Sequence, residues 1–169
     1  AAPEKVGWAI NALSPDLVVK KYKGDDFCAS RARDVLNLSE DFDAVLIGNG
    51  IGMHAKSFCR KFVKECRKPM VIDADGIKAI NAKEIRNAIL TPHRKELEIF
   101  LKNSKKKAPK GKSLEQNAQF LKKVLKDFFN RNNILLLKGP IDTIISRNKI
   151  AFNKTGNAGM TKAGTGDVL

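Results

Sequence analysis

The sequence predicts an α/β fold in which helices cover both faces of a mostly parallel sheet. Short apolar runs rich in β-branched residues alternate along the chain with segments of helical periodicity, and this alternation is typical of repeated strand–helix units. The runs end in Gly, Asn, Asp or His before a helical segment begins. Residues 134–137 are apolar throughout, as expected of a strand that is buried on both faces of a parallel sheet.

Seven apolar runs predict strands, at residues 17–22, 44–47, 70–72, 88–90, 134–137, 143–146 and 150–152. The last two runs flank Arg147-Asn148-Lys149 and predict an antiparallel hairpin. Helices are predicted over residues 55–66, 77–81, 96–101 and 114–128. The last helix has the clearest signals, because Ser113 and Gln116 form a capping-box pattern ahead of apolar residues at helical spacing.

Length and composition indicate one folded domain. The chain has 169 residues, 43% of them hydrophobic, which is enough to bury a core. No internal repeat or linker divides it, so we expect a single domain over residues 1–169. No window approaches the roughly 20 apolar residues of a membrane span, so no membrane partner is expected. The three cysteines form no CxxC and no signal peptide precedes them, which predicts reduced thiols, with Cys59 and Cys66 in the core, and a cytoplasmic location.

The positive charge raises the question of a phosphate-bearing partner. Lys and Arg total 32 against 18 Asp and Glu, a net charge of +14, which attracts nucleotides or nucleic acid. Six of the lysines lie in residues 102–112, a stretch with Pro and Gly but none of the aromatic residues that stack on bases. This stretch is interpreted as a solvated loop. The composition therefore disfavours a nucleic-acid partner, although a basic nucleic-acid-binding module remains the alternative of a different class.

Candidate site residues follow the predicted strands, because ligands of open parallel sheets bind beyond the carboxyl ends of the strands. They are residues 48–52, Asp73, Asp75, His93, Lys138, Gly139 and residues 164–167. Their glycines, carboxylates, imidazole and ammonium group suit a cleft that handles phosphates.

Three of these candidates leave two interpretations open. The loop 48–52 offers backbone N–H groups to an anion, but it lacks the GxGxxG spacing and a plain strand-to-helix turn explains it as well. Asp73 and Asp75 would hold a metal or a sugar hydroxyl, or else cap the turn that follows. His93, fixed by Pro92, fits a structural hydrogen bond as well as a role in catalysis.

The segment AGTGD carries a stronger signal. Gly164 and Gly166 flank Thr165 and free three consecutive N–H groups at a predicted helix start, which forms a nest for a transferring phosphoryl group. A carboxylate beside an anion site is electrostatically unfavourable unless it has a task. Asp167 is therefore predicted to be the base that takes a proton from the attacking hydroxyl, with a helix-capping aspartate as the alternative.

Five ordered segments carry a resemblance to a known family: IGNGIG, VIDADGI, ILTPHRKEL, ILLLKGPIDTII and NKTGNAGMTKAGTGDVL. They are similar to the successive signatures of the ADP/ATP-dependent NAD(P)H-hydrate dehydratases, which belong to the ribokinase-like superfamily. The last segment is the most specific, because sugar kinases share only its final glycine–aspartate element. The resemblance implies a three-layer ribokinase-like fold for residues 1–169, incomplete at both ends and lacking N-terminal strands and C-terminal helices of the family.

The resemblance also implies an activity, the repair of hydrated NADH or NADPH. The ring hydroxyl of the (6S)-hydrate is phosphorylated by ADP or ATP, with Mg²⁺ bound to the nucleotide, and phosphate is then eliminated to restore the dihydropyridine. A homo-oligomer is expected, and some members are fused to or paired with an epimerase domain. Hydroxyethylthiazole and hydroxymethylpyrimidine kinases of thiamine synthesis are the nearest alternatives.

The resemblance assigns roles residue by residue. It implies that the hydrated dinucleotide is contacted by Gly50, Gly52, His93 and Asp167, with Asp167 as the base. Lys138 is implied to offer a mobile positive charge near the phosphates of the adenine nucleotide. The residues implied to contact this nucleotide are Lys138, Gly139, Pro140, Ile141, Asp142, Gly164, Thr165 and Gly166. No side-chain metal ligand is predicted. Three departures from the family pattern, Asn49, Arg94-Lys95 and Ala163, replace a proline, a small residue with glycine, and a second glycine. The first two concern substrate preference more than reaction type.

Overall fold

A computed structural model describes residues 1–156 of the chain. Its main sheet has six strands: β3 (Val45–Ile47), β4 (Met70–Ile72), β5 (Ala88–Leu90), β6 (Ile134–Leu137), β7 (Asp142–Ile145) and β8 (Ile150–Asn153). The strands lie in chain order, with β3 to β6 parallel and β7 and β8 added as an antiparallel hairpin. Two short parallel strands, β1 (Ala2–Pro3) and β2 (Lys21–Tyr22), form a separate pair.

Helices pack on both faces of the main sheet, which confirms the predicted α/β class. They are α1 (Glu4–Leu13), α2 (Ala32–Ser39), α3 (Lys56–Glu65), α4 (Ala74–Ala79), α5 (Arg94–Asn103), α6 (Leu114–Val124) and α7 (Lys126–Phe129). Single turns of 3₁₀ helix lie at Ala29–Arg31 and Met53–Ala55. None of the helices in residues 1–156 has the length and apolar character needed to cross a membrane.

The predicted elements from residue 44 onward are confirmed with small shifts. The strands at residues 70–72, 88–90 and 134–137 have the predicted bounds, and residues 143–146 and 150–152 form the predicted hairpin. The helix expected over 114–128 is interrupted at Leu125, which separates α6 from α7. Before residue 44 the prediction was poorer. The strand over 17–22 shrinks to Lys21–Tyr22, and α1 and α2 were not predicted.

The core lies between the sheet and its helices. Its largest fully buried side chains are mostly aromatic and branched residues, including Phe62, Phe100, Phe128, Ile72 and Leu90. Cys59 and Cys66 are buried in it as predicted. Burial raises the pKa of the Cys59 thiol to about 11, so this thiol is neutral at physiological pH. The six lysines of residues 102–112 are all exposed, as expected of a solvated segment.

Candidate active site

The carboxyl ends of β3 to β6 lie side by side, because these strands are parallel and neighbours in the sheet. Backbone hydrogen bonds continue beyond the strands and join the loops. The N–H of Asp73 donates to the carbonyl of Ile47 over 3.0 Å, and the N–H of Lys138 donates to the carbonyl of Pro92 over 2.8 Å. The segments at residues 48–52, 73, 91–93 and 138–139 therefore lie along one edge of the sheet.

The glycines of the first loop divide into two kinds. Gly48 has φ +119°, and a Cβ added there would lie 1.9 Å from the carbonyl oxygen of Asp73, so close packing requires this glycine. Gly50 and Gly52 also have positive φ, +63° and +77°, but an added Cβ would meet no heavy atom of the described residues within 4 Å. Gly48 is thus required by the packing of the turn against Asp73. The open surroundings of Gly50 and Gly52 leave room for a ligand to approach the backbone.

Asp73 and Asp75 do not form a pair that faces one cleft. Asp73 Oδ1 accepts a hydrogen bond from Lys138 Nζ over 2.8 Å, whereas Asp75 Oδ1 accepts one from Lys78 Nζ over 2.8 Å within α4. The alternation argument was wrong because the strand ends at Ile72 and Asp75 already lies in the first turn of α4. Across residues 1–156, His, Cys, Asp and Glu side chains make no cluster of three that could hold a metal ion.

The Lys138 ammonium group is paired with the Asp73 carboxylate. Its ion pair with Asp73 spans the end of β5, and the two side chains are only 27% and 17% exposed. Burial raises the pKa of Asp73, but hydrogen bonds from Lys138, Thr91 and the Ala74 N–H, together with the Lys138 charge, outweigh burial and bring this pKa below its ordinary value. The Asp73 carboxylate is therefore ionised at neutral pH.

Asp142 closes the turn that follows Lys138. Its Oδ1 accepts a hydrogen bond from the N–H of Gly139 over 3.1 Å, and its Oδ2 accepts one from Asn153 Nδ2 over 3.4 Å. Gly139 and Pro140 are exposed at the tip of this turn. The Asp142 side chain thus fixes the backbone of the segment that was predicted to contact the adenine nucleotide.

His93 caps helix α5, which is the structural one of its two interpretations. Its Nδ1 accepts hydrogen bonds from the N–H groups of Lys95 and Glu96, over 3.1 and 3.4 Å. In return Glu96 Oε2 accepts from the His93 N–H over 2.9 Å, and Glu96 Oε1 lies 3.3 Å from His93 Nε2. The arrangement is a capping box with histidine in the place of serine or threonine. Half of the His93 side chain stays exposed, whereas the Glu96 side chain is 6% exposed.

Glu96 was missed at the sequence level, although a signal was present. A polar residue followed three positions later by Glu, ahead of an apolar run, is the capping-box pattern, and His93 and Glu96 match it in HRKELEIF. Residues 164–167, including the predicted base Asp167, lie outside the described residues, so their roles remain predictions.

A cavity of about 720 Å³ lies beside the glycine loop. It is enclosed mainly by apolar side chains of α1, α2, β1 and β3, with residues 48–51 at one end. Lys20 is its one cationic lining residue in residues 1–156, and Asp73, His93 and Lys138 do not line it. With Lys20 set against Asp25 and Asp26, this cavity lacks the excess of cationic groups that suits a phosphate site, and among residues 1–156 only the glycine loop of the phosphate-site candidates borders it.

Comparison with known proteins gives three kinds of match. A family profile described as NAD(P)H-hydrate dehydratase covers residues 1–169. The bifunctional NAD(P)H-hydrate repair enzyme Nnr of Methanocaldococcus jannaschii is 33% identical over 97% of this chain and 30% of its own length. The ADP-dependent (S)-NAD(P)H-hydrate dehydratase of Natrialba magadii is 28% identical over 99% of this chain and 58% of its own length. The chain thus spans a third to little more than half of these relatives.

Solved structures show the same fold. A ribokinase-like superfamily protein of Enterococcus faecalis superposes with a TM-score of 0.68 at 21% identity, over 95% of this chain and 53% of its own. The ADP/ATP-dependent NAD(P)H-hydrate dehydratase of Bacillus subtilis, co-crystallised with ATP and Mg²⁺, superposes with a TM-score of 0.66 at 22% identity, over 98% of this chain and 56% of its own. The described residues therefore have a ribokinase-like fold.

Proposed function

Because the chain belongs to the NAD(P)H-hydrate dehydratase family, we propose that the protein dehydrates (6S)-hydrated NADH and NADPH with ADP or ATP as phosphoryl donor. The observation that carries the proposal is the row of strand-end loops, in which Lys138 is fixed within one edge together with His93 and the open glycine loop. One relative is described as ADP-dependent, and one enzyme of the same fold was crystallised with ATP and Mg²⁺.

The proposed reaction has two chemical stages. The ring hydroxyl of the hydrate attacks the terminal phosphorus of the nucleotide, its proton passes to Asp167, and AMP or ADP leaves. The ring carbon then loses phosphate while the neighbouring carbon loses a proton, and the ring double bond returns. The sum is hydrated cofactor plus ADP giving NAD(P)H, AMP and inorganic phosphate, or ADP and phosphate when ATP is the donor.

The adenine nucleotide is proposed to lie at the end of β6. Lys138 has three N–H donors, of which Asp73 takes one, so the ammonium group retains donors for phosphate oxygens. The turn of residues 139–142, whose tip at Gly139 and Pro140 is exposed, follows Lys138 directly. Residues 164–166 complete the phosphate site in this proposal. Magnesium enters with the nucleotide, since its preferred ligands are phosphate oxygens and water.

The hydrated dinucleotide is proposed to contact Gly50, Gly52 and His93. The backbone at Gly50 and Gly52 is open to a ligand, which supports this assignment. The Nδ1 atom of His93 is engaged with α5, so the histidine contacts the substrate with the exposed half of its side chain. His93 therefore orients the substrate in this proposal.

We further propose that the whole protein is a cytoplasmic homo-oligomer that is fused to or paired with an epimerase domain. Several relatives are described as bifunctional repair enzymes, which supports the pairing. The reduced state of Cys28, Cys59 and Cys66 suits the cytoplasm.

The test is turnover of hydrated NADPH by the whole protein with ADP, ATP or no nucleotide. Recovery of the reduced-nicotinamide absorbance with one nucleotide, together with release of phosphate, is the expected result. Hydroxyethylthiazole and hydroxymethylpyrimidine serve as competing substrates. Phosphorylation of either compound without any turnover of the hydrate would replace the proposal with a thiamine-precursor kinase. Tight, salt-sensitive binding to a labelled duplex without turnover would favour the nucleic-acid alternative.

A further inference from the structure

Asp73 contacts two other strand-end segments, one through its backbone and one through its side chain. Its carbonyl oxygen occupies the space where Gly48 lacks a Cβ, and the same oxygen accepts the N–H of Gly76 over 3.0 Å. Its carboxylate accepts a hydrogen bond from Lys138. The residue thus joins the glycine loop of the first strand end to the lysine of the fourth.

The Lys138 side chain needs such a partner. A lysine has a flexible four-carbon stem, and an unpaired one at a cleft edge distributes its ammonium group over many rotamers. The backbone of Lys138 is already fixed by the 2.8 Å hydrogen bond to Pro92, so the remaining freedom lies in the side chain. The 2.8 Å contact with Asp73 Oδ1 removes that freedom.

We propose that Asp73 is a positioning residue for nucleotide binding: it holds the Lys138 ammonium group where the phosphates of ADP or ATP bind, without touching the nucleotide. The inference rests on the proposed function only in that Lys138 binds nucleotide phosphates. A carboxylate near phosphates also repels them. The gain in nucleotide affinity from holding Lys138 exceeds this repulsion. If the repulsion were the larger effect, removing Asp73 would tighten nucleotide binding.

The experiment is a double-mutant cycle on ADP and ATP affinity, measured by calorimetry in the whole protein. Asp73→Ala is expected to raise Kd about tenfold in the Lys138 background and less than about twofold in the Lys138→Met background, because the loss acts through the lysine. Asp73→Asn keeps an oxygen that accepts from Lys138 Nζ and is expected to recover most of the affinity. If Asp73→Ala fails to fold, Asp73→Ser, whose hydroxyl is too short to reach Lys138 Nζ, is combined with Lys138→Met and measures the same coupling.

Asp75→Ala is the matched control, because Asp75 makes a lysine contact of the same length two residues further on, with Lys78 instead of Lys138. Its nucleotide affinity should equal that of the wild type. Tighter binding by Asp73→Ala, or an equal loss in both Lys138 backgrounds, would overturn the proposal. So would a wild-type protein that binds neither nucleotide. Coupled binding without turnover of hydrated NADPH would refute the proposed reaction and leave this inference standing.

Discussion

Replacing Gly48 with alanine is expected to destabilise the protein far more than replacing Gly50. At Gly48 an added Cβ lies 1.9 Å from the carbonyl oxygen of Asp73 and 2.8 Å from the nitrogen of Gly76. Both neighbours are backbone atoms, so the clash cannot be relieved by a side-chain rotation. Overpacking of this kind costs about 1–3 kcal/mol, and the φ of +119° adds strain of about 1–3 kcal/mol.

The free energy of unfolding of Gly48→Ala should therefore fall by about 4 kcal/mol, near the middle of the summed range. For a chain of this size that corresponds to a fall in Tm of about 8–16 °C. Gly50→Ala is the matched control, because Gly50 also has positive φ but an added Cβ meets nothing within 4 Å in the described residues. Its free energy of unfolding should fall only by the strain of an alanine in the left-handed backbone region, about 1–2 kcal/mol.

The assay is urea unfolding followed by far-ultraviolet circular dichroism. The dependence of the free energy of unfolding on urea concentration is compared between variants to check that all of them unfold in the same transition. A Gly48→Ala variant that is destabilised no more than Gly50→Ala would refute the reasoning. It would show that the loop 48–52 can move away from Asp73 at little cost.

Three further predictions concern carboxylates. Asp167→Asn should lower turnover of hydrated NADPH by about 10²–10⁴-fold while nucleotide affinity is kept or improved; retention of more than about a tenth of the turnover would favour a capping role, which Asn performs as well as Asp. Glu96→Ala breaks the capping box of α5 and should lower the free energy of unfolding by about 1–2 kcal/mol in denaturant titrations, whereas Glu98→Ala, at an exposed ion pair, should stay within about 0.5 kcal/mol. The pKa of Asp73 is lowered in the folded protein, so its contribution to stability is complete above the ordinary carboxyl pKa and is lost as pH falls through the lower folded value. Stability measured between about pH 5 and pH 2 should therefore fall less steeply in Asp73→Asn than in the wild type, and parallel curves would contradict the shift.

The sequence predicted the strands of the sheet well because turn-favouring residues flank each apolar run at both ends. Residues 88–90 form a short apolar run between Asn87 and Thr91-Pro92, and the structure gives the strand those bounds. The helices before residue 44 carry a weaker signal. In α1, Val6, Ile10 and Leu13 recur at helical spacing, but Gly7 interrupts the segment and no capping side chain precedes it.

The candidate site was predicted as a set of loops but not as a set of contacts. The row of strand ends follows from parallel strands alone. The pairing of Asp73 with Lys138 does not, because it requires the order of the strands and the direction in which the chain leaves each one. At Ala74 the backbone has φ +47°, and an alanine gives no sequence signal for a left-handed turn. The strand alternation that grouped Asp73 with Asp75 therefore had no force beyond Ile72.

The chain-ordered sheet has a consequence for how the cleft forms in time. Each strand of the main sheet pairs with the strand made just before it, so the sheet can grow one strand at a time during synthesis. The ion pair between Asp73 and Lys138 is an exception, since 65 residues separate its members. It can close only after β6 has docked against β5. A nascent chain that ends before β6 therefore contains the glycine loop and His93 but lacks Lys138, so the Asp73 carboxylate has no ion-pair partner from β6 until the four parallel strands are in place.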